Sequence, residues 1–324
     1  MLNLVSNKDT TLKIQGNRFC RYLCAAVLFI VTSLTTHSEN LAILYPEIRE
    51  PYRQVFLSIT EGIEQQYRGH SISLALTKNH KPNDTISWLD KNNIDAIITL
   101  GKRGLRTLDY LPKSIPTVVV VGAVNINPDD RKLTGISLIP APDRLFETLH
   151  LLTPNLETIH LIHKPGPSDW IIDTAKETLE DKPIKLNAIP AHSIQEIAKI
   201  YKSTLEKMKP QKDALWISFN GKRLDRAILQ ATLRTAWNKE LVVFSSSLAD
   251  VKRGALFSLY PNNDAMGKKL ADLVHHIENN PNTKHQIHPV INLFTAVNIR
   301  TASHLKLNIS KEDQTNFDLT YPAK

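Results

Sequence analysis

The chain has 324 residues, 42% of them with apolar side chains, so it is long enough to bury a core and to form two domains. The formal net charge is +8, and the basic residues are scattered through amphipathic segments instead of forming a stripe. This composition excludes an extended disordered chain and disfavours a nucleic-acid partner.

Residues 1–38 have the layout of a secretory signal peptide, in which basic residues precede an apolar run from Tyr22 to Leu34. This run is shorter than the roughly 20 residues that a membrane-spanning helix needs. We therefore predict export, with cleavage near Ser38, and location in a Gram-negative periplasm. Cys20 and Cys24 both lie in the leader, so the mature chain has no disulfide, thiolate metal ligand or lipid anchor.

After residue 39, short β-branched runs alternate with stretches of helical period, which predicts an α/β fold with parallel sheets covered by helices. The first strands are predicted at Leu41–Leu44, Ser71–Thr77, Ala96–Leu100 and Thr117–Val121. The first helix is predicted to begin at Pro51, because the missing N–H of proline costs nothing at the first helical position.

A second βα series begins near residue 140. Its predicted elements are a helix at Asp143–Leu152, a strand at Thr158–Ile162, a helix at Asp169–Leu179, a strand at Ile184–Ile189, a helix at Ile194–Met208, a strand at Ala214–Phe219, a helix at Leu224–Trp237 and a strand at Leu241–Ser245. Ligands of open parallel sheets bind outside the carboxyl ends of the strands. Two such sheets facing each other would place their strand ends along one cleft.

Three segments resemble the substrate-binding proteins of an ABC transporter family, some of whose members bind tryptophan or other aromatic amino acids. They are LAILYPEIREPYRQ (41–54), GALFSLYPNNDAMG (254–267) and, as the most specific, AVNIRTA (296–302). The resemblance spans roughly residues 40–310 and implies the type I periplasmic-binding-protein fold, with two Rossmann-like lobes joined by a crossing-strand hinge. It implies that residues 39–139 and 259–284 form lobe 1, residues 140–258 form lobe 2 and residues 285–324 form a hinge-crossing tail.

Two positions depart from the family pattern. Lys306 stands where relatives commonly have a glycine after the tail helix, so the local turn is expected to differ. Asn220 stands where relatives often carry an aspartate that meets the ammonium group of an amino acid. Since Asn220 is uncharged, the expectation of an amino-acid ligand is weakened.

The residues that follow the predicted strands are the candidates for ligand binding in the cleft. They are Tyr45, Glu47, Tyr52, Gly101, Lys102, Gly166, Ser168, Trp170, Phe219, Asn220, Ser245, Ser246 and Tyr260. Aromatic rings can sandwich a planar group, while serine hydroxyls and helix N-terminal amides can hold a carboxylate or phosphate. Each residue can instead cap a helix or pack a hinge, and capping is the preferred prediction for Ser168 or Asp169.

The sequence contains no G-x-S-x-G, G-x-x-x-x-G-K-[ST] or H-E-x-x-H motif, so we expect no enzyme activity, cofactor or metal. The leading hypothesis is a monomeric receptor for a small molecule that serves an ABC permease and ATPase of the inner membrane. The alternatives are a periplasmic sensor subunit for a membrane kinase or cyclase and, less favoured, an exported enzyme. A transcription regulator is excluded because a leader stands where a DNA-binding domain would be.

Overall fold

The computed structural model describes residues 40–50, 52–112, 118–124, 132–166, 169–218 and 224–322, all within one compact unit, Glu39–Lys324. Its strands are β1 (Asn40–Pro46), β2 (His70–Leu76), β3 (Ala96–Leu100), β4 (Val118–Val124), β5 (Thr134–Pro140), β6 (Thr158–His163), β7 (Lys185–Pro190), β8 (Asp213–Ile217), β9 (Val242–Ser245), β10 (Phe257–Pro261), β11 (Ile287–Val290), β12 (Leu293–Asn298) and β13 (Leu319–Tyr321).

The described α-helices are α1 (Tyr52–Gln66), α2 (Pro82–Lys91), α3 (Gly101–Thr107), α4 (Pro142–Leu152), α5 (Trp170–Leu179), α6 (Ile194–Lys207), α7 (Arg226–Asn238), α8 (Leu248–Arg253), α9 (Asn263–Asn279) and α10 (Ile299–His304). The predicted alternation of strands and helices is confirmed, with ends that shift by at most three residues. Strand β5 was not predicted from the sequence. Pro51 lies outside the described residues, and α1 is described from Tyr52 onward.

The strands form two sheets whose neighbours are nearly all parallel. The first sheet has the order β11-β5-β4-β3-β1-β2, and the second has the order β13-β12-β10-β9-β8-β6-β7. The pair β10–β12 is antiparallel, and the other described pairs run parallel. The prediction of parallel sheets is therefore confirmed, and the carboxyl ends of neighbouring parallel strands lie together at one edge.

Both faces of the sheets are buried, which explains why the strands read as continuous apolar runs. In the first sheet, alternate residues of β1 belong to separate clusters: Leu41 and Ile43 pack with α1 and α9, whereas Ala42 and Leu44 pack with α2. In the second sheet, aromatic rings stack across neighbouring strands. The ring of Phe244 lies 5.2 Å from that of Phe257 and 6.1 Å from that of Trp216, between centroids.

Three connections pass between the sheets: β5 to α4, β10 to α9, and β11 to β12. Backbone hydrogen bonds join them to one another. The Ala141 N–H donates to the Val290 carbonyl (2.9 Å), and the Asn262 N–H donates to the Asn292 carbonyl (3.0 Å). The crossings are therefore a bonded set of segments. The assignment of the chain to two lobes with the boundaries given above stays a prediction.

Two glycines allow α1 and α9 to approach closely. A Cβ added to Gly62 would lie far inside van der Waals contact with the Asp264 carbonyl oxygen, and one added to Gly267 would meet the Ile59 carbonyl oxygen in the same way. No side chain fits between these backbones. The Tyr67 and His275 rings then stack at 4.8 Å between centroids, which extends the helix pair.

We expect Gly267→Ala to lower the free energy of unfolding by about 2 kcal/mol, because the added methyl group must push two helix backbones apart. Urea unfolding followed by circular dichroism measures the change. The control is Gly166→Ala, whose new Cβ would find only the Lys164 carbonyl oxygen, at 3.9 Å. Equal stability of the two variants would contradict a close helix contact.

Lys306 adopts the backbone conformation that a glycine would favour. Its φ is +59°, in the left-handed region, directly after the end of α10. The left-handed conformation that a glycine would favour is therefore present here with a lysine. The expected difference from the turn of relatives stays a prediction. This conformation costs an ordinary residue about 1–2 kcal/mol. The Lys306 ammonium pairs with the exposed Glu240 carboxylate at 3.0 Å, which offsets little of that cost.

We therefore expect Lys306→Gly to raise the free energy of unfolding by about 0.5–1 kcal/mol, since glycine adopts a positive φ without steric cost. Urea unfolding again provides the measurement. Glu240→Gln is the matched control, because it removes the ion pair and leaves the backbone strain in place. A lower midpoint for Lys306→Gly than for Glu240→Gln would contradict this explanation.

Candidate functional site

The carboxyl ends of β6, β8 and β9 are neighbours at one edge of the second sheet. Ile217 pairs with Ser245 across β8 and β9, so Ser218 and Ser246 begin the loops that leave this edge. A cavity of about 220 Å³ lies here. It is lined by Ile217, Ser218, Leu224, Arg226, Leu229, Ser245, Ser247, Asp250 and Arg253. We call it the strand-end cavity.

A buried carboxylate organises one wall of the strand-end cavity. The Ser245 hydroxyl, which is fully buried, donates to Asp250 Oδ2 at 2.8 Å and accepts from the Ser247 N–H at 3.1 Å. The Arg253 guanidinium lies 3.3 Å from Asp250 Oδ1. Asp250 is only 7% exposed, and a buried charge needs such partners. Burial and the Asp250 carboxylate both raise the pKa of Tyr201.

A second guanidinium enters from helix α7. Asp225 caps this helix by accepting from the Ala227 N–H at 2.8 Å, which fixes where the helix begins. Arg226 is the first helical residue and lines the cavity. Within the described residues, Arg226 forms no ion pair or hydrogen bond through its side chain, whereas Arg253 is held by Asp250. Arg226 is therefore free to bind an anion.

The predicted serines have different environments. Ser245 lines the strand-end cavity, as does Ser218, which follows β8. Ser246 instead accepts a hydrogen bond from Trp216 Nε1 at 3.0 Å, so its hydroxyl helps to hold a core tryptophan. Its position agrees with the strand-end prediction, while its side chain has a structural partner.

The loop between β6 and α5 holds Gly166 and Trp170. The Gly166 N–H donates to Asp169 Oδ2 at 3.0 Å, and Asp169 occupies the N-cap position of α5 without capping it through its side chain. Asp169 was one of the two residues predicted to cap this helix. Its side chain does not cap the helix, because its carboxylate accepts a hydrogen bond from the loop instead. Its Oδ1 lies 3.3 Å from His163 Nδ1, without the alignment of a hydrogen bond. Trp170 Nε1 is also buried, and it has no hydrogen-bond partner among the described residues.

The first-sheet candidates follow β1 and β3. Tyr45 is half-buried against the first-sheet core, and Tyr52 at the start of α1 is 59% exposed. Glu47 is held through its backbone, since its N–H donates to the Leu76 carbonyl and its own carbonyl accepts from Arg103 Nη1 (3.0 Å). Lys102 is the second residue of α3 and is exposed.

Gly101 has a backbone reason for being glycine. Its φ is +67°, and an added Cβ would lie 3.1 Å from the Phe56 ring. Tyr260 packs beside Phe294 on β12, with the ring centroids 5.5 Å apart. Burial, and then the Asp318 carboxylate and Tyr321, raise the pKa of Tyr260. Tyr260 does not line the strand-end cavity. Ser168, Phe219 and Asn220 lie outside the described residues.

Sequence reasoning missed Arg226, Asp250 and Arg253 as cavity residues. Each lies in a helix that follows a strand end, and only the fold brings α7 and α8 together. The available signal in the sequence was the position of Asp250, which lies in the first turn of the helix that follows Ser245 at the end of β9. Among the described residues, no cluster of three or more histidines, cysteines and carboxylates is placed to hold a metal ion. None of the described helices combines the length and apolarity that crossing a bilayer requires.

Comparison with known families now identifies the chain. The profile of the family described as ABC transporter substrate binding protein matches residues 64–314, most of the sequence, so the chain belongs to this family. Family membership supports a solute-binding role. Comparison with curated protein sequences gives no match.

Solved structures share the fold. A ligand-free, open substrate-binding protein with adhesive properties from Clostridium difficile has a TM-score of 0.62 at 15% identity, covering 87% of this chain and 98% of its own. An ABC domain in complex with L-Trp from Streptococcus pneumonia has a TM-score of 0.52 at 15% identity, covering 87% and 99%. A conserved domain protein from Vibrio cholerae gives 0.52 at 16% identity, covering 87% and 99%. The predicted type I periplasmic-binding-protein fold is confirmed.

We expect Ser245→Ala to lower the free energy of unfolding by about 1–3 kcal/mol, because it leaves the buried Asp250 carboxylate with one partner fewer. Thermal and urea unfolding measure the loss. Ser303→Ala is the control, since the one described hydrogen bond of that hydroxyl goes to the Ile299 carbonyl on an exposed helix face. Unchanged stability of Ser245→Ala would mean that the hydroxyl does not support the carboxylate.

Proposed function

We propose that this protein is a periplasmic solute receptor of an ABC-type transport system, and that its ligand is held at the carboxyl ends of the strands between the two sheets. The observation that supports this proposal best is the strand-end cavity, where polar groups from β8, β9, α7 and α8 converge. Family membership supports the same role. Open parallel sheets bind ligands at this edge because loops and helix N-termini meet there.

The charges of the cavity favour a ligand that bears a carboxylate. Arg226 offers five N–H donors that no described carboxylate engages, and guanidinium groups bind carboxylates in a bidentate manner. The cavity of about 220 Å³ suits the charged end of a ligand, while the rest extends into the cleft. An aromatic group on the ligand fits Tyr45, Tyr52 and Trp170, and the relative from Streptococcus pneumonia was solved with L-Trp.

Ligand contacts with both lobes would drive closure. Only a difference in affinity between the open and closed states shifts their populations. The proposed contacts on the side of the second sheet are Arg226, Ser245, Gly166 and Trp170. Those on the side of the first sheet are Tyr45, Glu47, Tyr52 and Lys102. The bonded crossings between the sheets are where the chain would bend.

The expected partners and location follow from this role. The leader at residues 1–38 exports the chain to the periplasm, and a monomer in the closed state engages a permease and its ATPase in the inner membrane. One observation favours a second candidate, a sensor subunit that signals to a membrane kinase or cyclase. Asn220 is uncharged where relatives often carry an aspartate, so the ligand need not be the amino acid that such relatives take up.

We expect thermal-shift screening of aromatic amino acids, small carboxylates, nucleosides and vitamins to give a ligand that raises the melting temperature of the mature protein. Arg226→Gln should weaken the binding of that ligand by roughly tenfold or more, since it removes a charge-assisted hydrogen bond. Titration calorimetry measures the affinity.

Arg234→Gln is the matched control, because Arg234 is an exposed arginine on the same helix that does not line the cavity. Its ligand affinity should equal that of the unaltered protein. Absence of any ligand-dependent shift across the library, or equal affinity of the two variants, would contradict the proposal.

A further inference from the structure

A larger cavity lies on the flank of the first sheet, away from the strand ends discussed above. It measures about 690 Å³ and is bounded by the first half of β5, helix α9 and residues 283–292, which include the edge strand β11. We call it the flank cavity. None of the residues predicted to bind ligand lines it. Its size falls within the range of small-molecule pockets, roughly 300–1,000 Å³.

The inner wall of the flank cavity is apolar. Ile136, Met266 and Val290 form this wall and are at most 5% exposed, while Leu273 on α9 is half-buried beside them. At the mouth, Ile291 is 51% exposed, one of the few large apolar side chains that face solvent in the described residues. An apolar wall that reaches solvent through an exposed isoleucine favours a ligand with an apolar body.

The rim carries an excess of positive charge from separate segments. Lys269 and His276 lie on α9, and Lys284 and His288 come from the segment after it. The carboxylate in this lining belongs to Asp272, whose Oδ1 already accepts from Gln66 Nε2 at 2.8 Å. Within the described residues, the side chains of Lys269, Lys284 and His288 form no hydrogen bond or ion pair. The donors of these three side chains therefore have no partner in the part of the chain that the structure describes.

The pKa of His288 reflects the burial and the positive charge at this rim. His288 is half-buried on an edge strand, and burial together with the nearby Lys269 ammonium lowers its pKa. The protonated form of His288 is thus disfavoured by the Lys269 ammonium beside it. A bound anion would relieve that repulsion and stabilise both positive forms.

We propose that the flank cavity is a second ligand site, which takes a small carboxylate with an apolar tail, with the carboxylate between Lys269, Lys284 and His288 and the tail against Ile136, Met266 and Val290. The tail replaces water on the apolar wall, and the carboxylate accepts charge-assisted hydrogen bonds at the rim. The site goes beyond the solute-binding role and is independent of the strand-end cavity.

Titration of the mature protein with octanoate tests the proposal. We expect saturable binding of one octanoate. Octanol, which lacks the charge, and butyrate, which lacks most of the tail, should each bind at least about tenfold more weakly. Equal binding of octanoate and octanol would overturn the carboxylate assignment, and a failure to bind octanoate would overturn the site.

Variants place the octanoate in the molecule. Lys269→Gln combined with Lys284→Gln should weaken octanoate binding by roughly tenfold or more, and both side chains are exposed, so folding should persist. Lys268→Gln is the matched control, a neighbouring lysine on α9 that pairs with Asp264 at 2.8 Å and does not line the cavity. Octanoate binding that Arg226→Gln abolishes and the double variant leaves unchanged would place the molecule at the strand ends and overturn the proposal.

The pH dependence adds a second readout. His288 faces Lys269, with Asp272, His276 and Lys284 on the same lining. Because burial and the Lys269 ammonium lower its pKa, His288 is neutral near pH 7.5 and gains a proton as the pH falls, while a carboxylate stays ionised down to about pH 5. Octanoate should therefore bind more tightly as the pH falls from 7.5 to 5.5, and His288→Gln should reduce this gain. An affinity gain of the same size in His288→Gln would overturn the role of His288.

A second copy of this chain is the other occupant that the exposed Ile291 allows. Sedimentation velocity distinguishes the two. A dimer that Ile291→Asp converts to a monomer, with octanoate binding absent from the dimer, would overturn the small-molecule site. A monomer that binds octanoate supports it.

Discussion

Parallel pairing of strands is the constraint that positions the candidate functional site of this protein. In both sheets, hydrogen bonds hold neighbouring strands in a register that brings their carboxyl ends to one edge. At the second sheet, this register puts Ile217 beside Ser245, so the loops after β8 and β9 begin at the same level. Every polar side chain that lines the strand-end cavity comes from the end of β9, from these loops or from the helices that follow them. A slip of one residue would turn Ser245 out of its network with Asp250.

The charges of the two cavities differ in how they are satisfied. At the strand ends, Asp250 is buried and held by Ser245 and Arg253, which keeps a carboxylate in a place where it would otherwise be costly. Arg226 remains the cation without a described partner. On the flank of the first sheet, the cations outnumber the carboxylate, and Asp272 is engaged by Gln66. Both cavities thus present cations without a described partner, one beside serine hydroxyls and the other beside an apolar wall.

Local patterns predicted much of the fold because β-branched runs and helical periods depend on neighbouring residues. The strand β3 was predicted with its observed bounds, and α5 began one residue later than expected. Strand β5 was missed because its sequence, TGISLIP, contains a glycine and lies where the first βα series ends. The prediction that Asp169 could cap α5 was wrong because its carboxylate accepts a hydrogen bond from the Gly166 N–H instead. The positive φ of Lys306 shows that a lysine occupies a turn position that sequence preference assigns to glycine.

The amino-acid sequence was sufficient for the α/β class, the alternation of elements, the family resemblance and the strand-end position of Ser245. These features follow from residues that are close in the chain, or from motifs that persist as whole segments. The position of Arg226 in the same cavity as Ser245, and the flank cavity, appeared only when distant segments were folded together. Their positions depend on strand register and on how α9 packs over β5 and β11, and no local pattern of residues encodes either.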